Sequence, residues 1–194
     1  MLVYVLAAIL GYLIGSFPTA YLVVKKLTGQ DIRQIGSGNV GATNVKRAAG
    51  TKPFIFVLIA DLLKGTIPVL ISQMLYPHLY LLHVIVAMTT VLGHSKSIFL
   101  GFAGGKSAAT GLGGMLGLAP IPALIIGVSA FAITKLSRLM SLGSITASIL
   151  TPFILYWFKC PLEYIIYGAV TAAYVIFLHK ANIQRLLKGT ENRI

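Results

Sequence analysis

Residues 54–75, FIFVLIADLLKGTIPVLISQML, decide the fold class of this chain, because they are apolar almost throughout and long enough to cross a bilayer. At about 1.5 Å per residue, a helix over this stretch spans about 30 Å of hydrocarbon. Pro53, directly before it, suits the start of a helix. Asp61 and Lys64 lie inside the stretch, where ionisable groups are costly unless they pair or face the protein interior. We expect the two to pair and to brace the neighbouring loops rather than take part in chemistry.

The composition extends this conclusion from one segment to the whole chain. Of its 194 residues, 57% are hydrophobic and only 10% are charged. This is too little polar surface for a soluble fold, so we expect an integral membrane protein with one helical domain, residues 1–194. The net charge of +12 does not indicate nucleic-acid binding, because the cations are confined to loops between apolar runs. Anionic lipid surfaces and anionic small molecules are the expected partners.

Further apolar segments on both sides of residues 54–75 predict an all-α bundle of seven transmembrane helices. The fourth segment is short and rich in glycine and alanine, which suits a helix packed inside the bundle. The predicted helices are 2–24, 54–75, 79–92, 107–118, 121–136, 142–158 and 162–178. The polar tail after them has a pattern typical of a short interfacial helix.

The positions of the cations orient this predicted bundle. With seven crossings, Lys159 stands alone on one side, and the other loop cations lie on the opposite side. By the positive-inside rule, the N-terminus is then external and the C-terminus cytoplasmic. Six crossings with a re-entrant fourth segment would remove this asymmetry, so we favour seven. Four polar segments then share the cytoplasmic face: 36–47, 93–106, 137–144 and 179–185.

The first of these segments, within residues 35–47 (IGSGNVGATNVKR), combines glycines, small hydroxyl and amide side chains and two cations. Glycines let backbone N–H groups turn toward an anion, and the side chains add donors and positive charge. The composition therefore suits phosphate binding at a membrane surface. A glycine-rich turn between two helices explains the string equally well when it is taken alone.

The second segment ends in Gly104, Gly105, Lys106 and Ser107. Here the glycines can expose backbone amides, the lysine can reach an anion, and the serine opens a helix whose N-terminus favours negative charge. The segment lacks the first glycine and the preceding strand of a P-loop, so we exclude a nucleoside triphosphatase. We expect His94, earlier in the same segment, to be structural rather than catalytic.

The last two segments contribute further polar groups. His179, Asn182 and Arg185 recur every three residues, so they can line one side of a helix. An interfacial helix that faces lipid headgroups accounts for this pattern equally well. Ser141 and Ser144 taken alone are better explained as a helix N-cap, unless they face the other loops.

Three stretches of the chain resemble the signature motifs of one family. They are Ser37-Gly-Asn39-x-Gly41-Ala-Thr-Asn44, then Gly93-His94 followed by Phe102-x-Gly-Gly-Lys106, and His179-x-x-Asn182-Ile-x-Arg185-Leu-Leu-x-Gly189-x-Glu191. In order and at similar chain length, they resemble the bacterial acyl-phosphate:glycerol-3-phosphate acyltransferases. Many members have Gly-Lys-Gly where this chain has Gly105-Lys106-Ser107, and a serine there still suits the start of a helix.

This resemblance implies a seven-span enzyme of the bacterial cytoplasmic (inner) membrane whose active site faces the cytoplasm. Its reaction would move a fatty acyl group from acyl phosphate to the sn-1 hydroxyl of glycerol 3-phosphate, giving lysophosphatidic acid and phosphate, the first step of phospholipid synthesis. The acyl chain would enter sideways from the bilayer. No acyl-enzyme and no cofactor are implied, and no carboxylate or histidine cluster has metal-ligand spacing.

The family's pocket, carried over by matching motif positions, supplies the candidate site residues. The catalytic candidates are Ser37, Arg47, Lys106, Ser144, His179 and Asn182. The substrate-binding candidates are Asn39, Gly41, Thr43, Asn44, Gly104, Gly105, Ser141 and Arg185. The cations would neutralise the phosphates, and the hydroxyl and amide groups would orient them. We expect the proton of the attacking hydroxyl to pass to a substrate phosphate oxygen, with His179 as the second choice.

A transporter of a phosphorylated solute is the alternative from a different functional class, because its site would also be basic and polar. Transporters usually bind near the midplane and need access from both sides of the membrane. In this chain the cations crowd one face and the other face offers no matching polar set, which favours an enzyme.

Overall fold

A computed structural model describes residues 1–193, and every regular element in that range is helical. Ile194, the last residue of the expected domain, lies outside the described residues. The α-helices are α1 Leu2–Ser16, α2 Thr19–Thr28, α3 Ala42–Ala49, α4 Thr51–Leu75, α5 Tyr80–Ser95, α6 Ala108–Leu118, α7 Pro120–Ser137, α8 Met140–Trp157, α9 Leu162–Leu178 and α10 Lys180–Leu187. Short 3-10 helices, Ile32–Gln34 and Ile98–Leu100, precede α3 and α6.

Several of these helices are long and apolar enough to cross a bilayer. They are α1 together with α2, then α4, α5 with the turn after it, α7 and α8. The pair α9 and α10, bent by 63°, provides a sixth candidate, and α6 is apolar but shorter. Phe131, Phe153 and Leu162 on the outer surface are 67–68% exposed, as expected where lipid surrounds the protein. The chain is therefore an all-helical integral membrane protein.

Glycines bring pairs of helices into close contact. At Gly15 of α1, an added Cβ would lie 2.2 Å from the Thr90 carbonyl oxygen of α5. At Gly113 of α6, it would lie 2.0 Å from the Leu62 carbonyl oxygen of α4. Only glycine fits such crossings. Most of α6 is buried, Met115 included, which confirms that the short fourth helix packs inside the bundle.

The long helices alternate in direction through the bundle. The contacts of successive glycines show that α1 runs parallel to α5, and that α4 runs parallel to α6 in the opposite sense. As a result, the ends of α5, α7 and α9 meet the starts of α4, α6 and α8 at one end of the molecule. The loops that carry the predicted motifs are gathered there.

The last six predicted helices correspond to α4–α9, and the expected tail helix is α10, but the first predicted helix is broken. In the structure α1 ends at Ser16 and α2 begins at Thr19, with Phe17 at ψ 120° between them. Pro18 causes the break, because proline disfavours a helical conformation at the residue before it and has no N–H to donate. The predicted span over residues 2–24 therefore lies within the candidate span Leu2–Thr28, but it consists of two helices instead of one.

A second difference is α3, which forms a helix in a segment that we expected to be a polar loop. It begins after Gly41 and is followed by Gly50, whose φ of 87° suits glycine. Val45 on one side is buried, whereas Arg47 on the other side is exposed. The helix is therefore amphipathic, and its packing fixes the direction of the arginine.

Asp61 and Lys64 form the buried ion pair that their position in α4 predicts. Their side chains are 3% and 10% exposed, and Lys64 Nζ lies 2.8 Å from Asp61 Oδ1. The ammonium also donates a hydrogen bond to the Phe17 carbonyl oxygen at 3.2 Å, which lies in the break between α1 and α2. His94 Nδ1 of α5 lies 3.6 Å from the same carboxylate oxygen. The pair thus connects α4 with the helix break and with α5.

Candidate active site

A cavity of about 670 Å³ lies where the polar helix ends meet. Its polar end is walled by α3, the loop before α6, the start of α8 and the junction of α9 with α10. Its other end runs between the faces of α6, α7, α8 and α9, which are mostly apolar. The volume falls within the usual range of small-molecule sites, roughly 300–1,000 Å³. One end suits a charged group and the other an alkyl chain.

Most of the predicted site residues are brought together at this cavity. The wall includes Ser37, Asn39, Gly41, Thr43, Asn44, Arg47, Lys106, Ser141, Ser144, His179, Asn182 and Arg185. They come from four stretches that are far apart in the chain, and the alternating helices bring these stretches to one place.

Gly104 and Gly105 differ from the other candidates, because they pack against the end of α5. A Cβ at Gly104 would lie 2.3 Å from the His94 carbonyl oxygen, and one at Gly105 would lie 2.1 Å from His94 Nε2. The Gly105 N–H donates to the same carbonyl oxygen at 3.0 Å, so it is not available to an anion. The expected exposure of the Gly105 amide is therefore not observed. The glycines instead allow the close approach that places Lys106.

Asn44 holds the first motif in shape. Its Nδ2 donates to the carbonyl oxygens of Ile32 (3.1 Å) and Ile35 (2.9 Å), and its Oδ1 accepts from the Ser37 N–H at 3.1 Å. The side chain is fully buried. Gly36 at φ 56° leaves room for it, since a Cβ there would lie 2.5 Å from Asn44 Oδ1. The hydrogen bonds of Asn44 thus position Ser37 at the cavity wall.

Five cations line the cavity; two of them are Lys46 and Lys135, and the other three belong to the predicted site. Arg47 comes from the last turn of α3, Lys106 from the loop before α6, and Arg185 from α10. Lys106 Nζ donates a short hydrogen bond to Asn182 Oδ1. Burial lowers the pKa of Lys106, and the nearby charges of Arg185 and Arg47 lower it further. Concentrated positive charge of this kind favours an anionic ligand.

Glu191 also belongs to this site, although it was not among the predicted site residues. Its Oε1 accepts hydrogen bonds from Ser141 Oγ (2.9 Å) and Asn182 Nδ2 (2.6 Å), and its Oε2 lies 2.6 Å from Arg185 Nε. Burial would raise the pKa of Glu191, but the hydrogen bonds from Asn182, Arg185 and Ser141 outweigh burial and hold the pKa below its usual value. One signal was available, because the chain has only four acidic residues and Glu191 ends the third motif.

His179 lies at the bend between α9 and α10, where it is 5% exposed. Its Nδ1 is 2.7 Å from the Val175 carbonyl oxygen, so Nδ1 must carry the proton and Nε2 keeps its lone pair. Burial lowers the pKa of His179 to about 4, and the charge of Lys106 also lowers it. The imidazole is therefore neutral at physiological pH.

The start of α6 also faces the cavity. Ser107 precedes it at φ 59°, and the serine hydroxyl donates to the Val91 carbonyl oxygen at 2.8 Å instead of capping the helix. Ala108 and Ala109 in the first turn line the cavity. Their N–H groups belong to a helix N-terminus, which favours negative charge. Ser107 opens a helix as expected, although it forms no side-chain cap.

The two serines of α8 face the cavity rather than cap their helix. The N-cap residue of α8 is Leu139, and neither serine bonds a backbone N–H of its first turn. Ser144 Oγ donates to the Met140 carbonyl oxygen at 3.1 Å, and Ser141 reaches Glu191. The N-cap explanation therefore does not apply to this pair.

The apolar part of the cavity opens sideways between α4 and α7. Ile55 of α4 and Phe131 of α7 both line the cavity, and they are 48% and 67% exposed on the outer surface. Leu58 and Leu112 continue the wall inward. A long alkyl chain between the lipid-facing surface and the polar end would therefore contact apolar side chains.

A family model described as glycerol-3-phosphate acyltransferase matches residues 5–189 of the chain. The chain belongs to the glycerol-3-phosphate acyltransferase family. Relatives with this name include one from Crocosphaera subtropica, 43% identical and covering 100% of this chain and 94% of the relative. Glycerol-3-phosphate acyltransferase 2 of Moorella thermoacetica is 44% identical, with 98% of this chain and 97% of that protein covered.

Two solved structures show the same fold as this member of the glycerol-3-phosphate acyltransferase family. Both are crystal structures of PlsY, an integral membrane glycerol 3-phosphate acyltransferase. Its glycerol 3-phosphate form superposes with a TM-score of 0.94 at 38% identity, covering 98% of this chain and 95% of that chain. Its lysophosphatidic acid form gives 0.90 at 39% identity with the same coverage. The family resemblance read from the three motifs is confirmed.

Proposed function

We propose that this protein moves a fatty acyl group from acyl phosphate to the sn-1 hydroxyl of glycerol 3-phosphate, giving lysophosphatidic acid and phosphate. One observation carries the proposal: the cavity joins a cation-rich polar end to a long apolar part, and the side of this apolar part reaches the outer surface at Ile55 and Phe131. Both substrates carry a phosphate, and one also carries an alkyl chain, so this division of the cavity fits both. The reaction is the first step of phospholipid synthesis.

The cations and polar side chains of the cavity divide the work of binding. Arg47 and Lys106 neutralise the phosphate groups, and Ser37, Ser144 and Asn182 orient them by hydrogen bonds. Support comes from the wall of the cavity, to which all five contribute. Asn182 is itself held between Lys106 and Glu191, so its amide is fixed before substrate arrives. Preorganisation of this kind lowers the barrier when two reactants must meet in one orientation.

The chemical step needs no covalent intermediate, because acyl phosphate is already activated. The sn-1 hydroxyl oxygen attacks the acyl carbonyl carbon, a new C–O bond forms, and the bond to the phosphate oxygen breaks. The electron pair of that bond leaves with the phosphate. We assign the stabilisation of charge on the oxyanion and on the departing phosphate to Lys106 and the start of α6, and their position in the cavity wall supports this.

The proton of the attacking hydroxyl passes to a substrate phosphate oxygen. A phosphate monoester has its second pKa near 6, whereas the pKa of His179 is about 4. A base works best when its pKa lies near the operating pH, which favours the phosphate. His179 is the second candidate, because its Nε2 keeps a lone pair.

We infer a single transmembrane domain with seven crossings, an external N-terminus and a cytoplasmic C-terminus. The crossings are made by α1 with α2 and by α4–α9, among which α6 is short and surrounded by its neighbours. The alternating helix directions support this topology, and so does the collection of loop cations at the polar end. The site then faces the cytoplasm of a bacterial cell from its inner membrane, and the acyl chain enters from the bilayer.

The proposal is tested with protein purified in detergent micelles. Release of phosphate from hexadecanoyl phosphate should require glycerol 3-phosphate, and lysophosphatidic acid should form in equal amount. Acyl-CoA and acyl carrier protein loaded with the same chain serve as alternative donors, and faster transfer from either would refute acyl-phosphate dependence. Uptake of glycerol 3-phosphate into vesicles without turnover would establish the transporter instead.

Lys106→Ala tests the site within the same assay. Because Lys106 supplies charge at the reacting phosphate, this variant should lose turnover while it elutes as folded protein in size-exclusion chromatography. Near wild-type turnover would remove Lys106 from the site. Lys52→Ala is the matched control, since Lys52 is exposed at the start of α4 and does not line the cavity.

A further inference from the structure

The apolar end of the cavity has a floor, and we infer that Gly168, together with Met115 and Thr151, sets the longest acyl chain that the enzyme transfers efficiently. The inference rests on the proposed function and adds a chain-length preference to it. Each residue comes from a different helix, with Gly168 in α9, Met115 in α6 and Thr151 in α8. All three line the cavity.

The register of the helices places these residues at the deep end. On α9 the wall residues Val175, Ala172 and Gly168 recur every three or four positions, so one face of the helix lines the cavity. At about 1.5 Å per residue, the wall reaches about 16 Å below His179 at Gly168. With the same rise per residue, Thr151 lies about 10–12 Å from Ser144 along α8, and Met115 lies about 10–12 Å from the start of α6.

Below this level the bundle is filled by its own core. Leu155 of α8 and Tyr167 of α9 are fully buried, and Tyr164, one turn before Gly168, is 5% exposed. All three belong to the hydrophobic core cluster that also contains Met115. The Tyr167 hydroxyl donates to the Gly111 carbonyl oxygen at 3.2 Å, which ties α9 to α6 beside the cavity. An alkyl chain that extends from the polar end along this wall therefore stops against this cluster.

Gly168 lies where three helices converge. A Cβ added there would be 2.5 Å from Leu155 Cδ1, 3.1 Å from Thr151 Cγ2 and 3.6 Å from Met115 Cε. The nearest of these atoms is the end of a flexible side chain, so a larger residue can be accommodated if Leu155 shifts. Such a residue occupies space that the end of the acyl chain would fill. Conversely, a shorter side chain at Met115 adds depth.

The experiment uses the full-length protein and a series of donors: decanoyl, dodecanoyl, tetradecanoyl, hexadecanoyl and octadecanoyl phosphate. Each is supplied with glycerol 3-phosphate, and kcat/KM is measured from the lysophosphatidic acid formed. Gly168→Val should move the preferred chain one step shorter, and Met115→Val should move it one step longer. Each methylene of the acyl chain that no longer fits in the cavity should lower kcat/KM about four-fold, equivalent to about 0.8 kcal/mol.

Val170→Leu is the matched control, because Val170 is two residues from Gly168 but 48% exposed on the outer side of α9. Its chain-length profile should coincide with that of the wild type. Unchanged profiles in Gly168→Val and Met115→Val would overturn the inference. If Gly168→Val does not fold, the opposite shift expected of Met115→Val decides alone. If the wild-type protein transfers no acyl group from any of these acyl phosphates to glycerol 3-phosphate, the proposed function itself is refuted.

Discussion

The Asp61–Lys64 pair should behave as a brace, so that removing one partner is costly and removing both is not. The two side chains are 3% and 10% exposed and lie 2.8 Å apart. Leaving one charge of such a buried pair alone typically costs about 3–5 kcal/mol, a factor of roughly 10² to 10⁴ in the ratio of folded to unfolded protein. Asp61→Asn should approach this value, because Lys64 then keeps only neutral partners.

The second single variant, Lys64→Met, should lose less stability than Asp61→Asn. Lys64→Met leaves the carboxylate of Asp61 beside His94, whose Nδ1 is 3.6 Å away and which can pair with it when it carries a proton. The double variant Asp61→Asn, Lys64→Met has no unpaired charge in the interior, so it should recover most of the stability lost by Asp61→Asn. It lacks the bond to the Phe17 carbonyl oxygen, and full recovery is therefore not expected.

Thermal unfolding in detergent micelles, followed by aggregation or fluorescence, gives the melting temperatures, and acyl transfer is measured on the same samples below the lowest of them. The brace hypothesis predicts that activity returns with stability in the double variant. A double variant that is as stable as the wild type but inactive would refute the reasoning and assign chemistry to Asp61. A double variant whose loss of stability equals the sum of the two single losses would also contradict it, because the two charges would then not interact.

Three further predictions concern the polar end. As the pH is lowered, kcat should fall with a midpoint near 6, the second pKa of a phosphate monoester, because protonation of the substrate phosphate removes the acceptor of the hydroxyl proton. A midpoint near 4 would instead identify His179 as that acceptor. Glu191→Gln should lower the melting temperature at neutral pH, and its melting temperature should converge with that of the wild type in acid. The pKa of Glu191 is lower in the folded protein than in the unfolded chain, so the carboxylate stabilises the fold above its unfolded-state pKa and loses this contribution as the pH falls through its folded-state pKa. A difference in melting temperature that does not change with pH would contradict this. Asn44→Ala should cost about 1–3 kcal/mol in unfolding free energy, because two carbonyl oxygens lose their donor, and should reduce turnover through Ser37; an unchanged melting temperature would exclude the role given to Asn44.

Local patterns predicted most of the helices, because apolar runs of sufficient length have few other solutions in a bilayer. Pro18 is a local signal for the break between α1 and α2. The break was not predicted, because the apolar composition of residues 2–24 was given more weight than one proline. Residues 42–49 were missed for the opposite reason. Their helix is short and polar, and its apolar side is anchored by tertiary packing of residues such as Val45.

The sequence predicts which residues form the site better than it predicts the contacts between them. Motif positions and topology indicate which side chains gather at one end, but hydrogen bonds between distant segments depend on the packed helices. Glu191 meets Ser141, fifty positions away in the chain, and no local spacing encodes that contact. Gly104 and Gly105 illustrate the same limit, because the use of their backbone depends on how closely α5 approaches.

The interruption between α1 and α2 has a lasting consequence for how the molecule can move. In many bilayer proteins, interrupted helices are completed by dissociable ions, and their shape then follows the ionic composition of the medium. In this protein the positive charge at the interruption is the ammonium of Lys64, which is covalently anchored to α4. Because this charge belongs to a side chain of the protein, an exchange of sodium for potassium in the medium cannot remove it from the interruption.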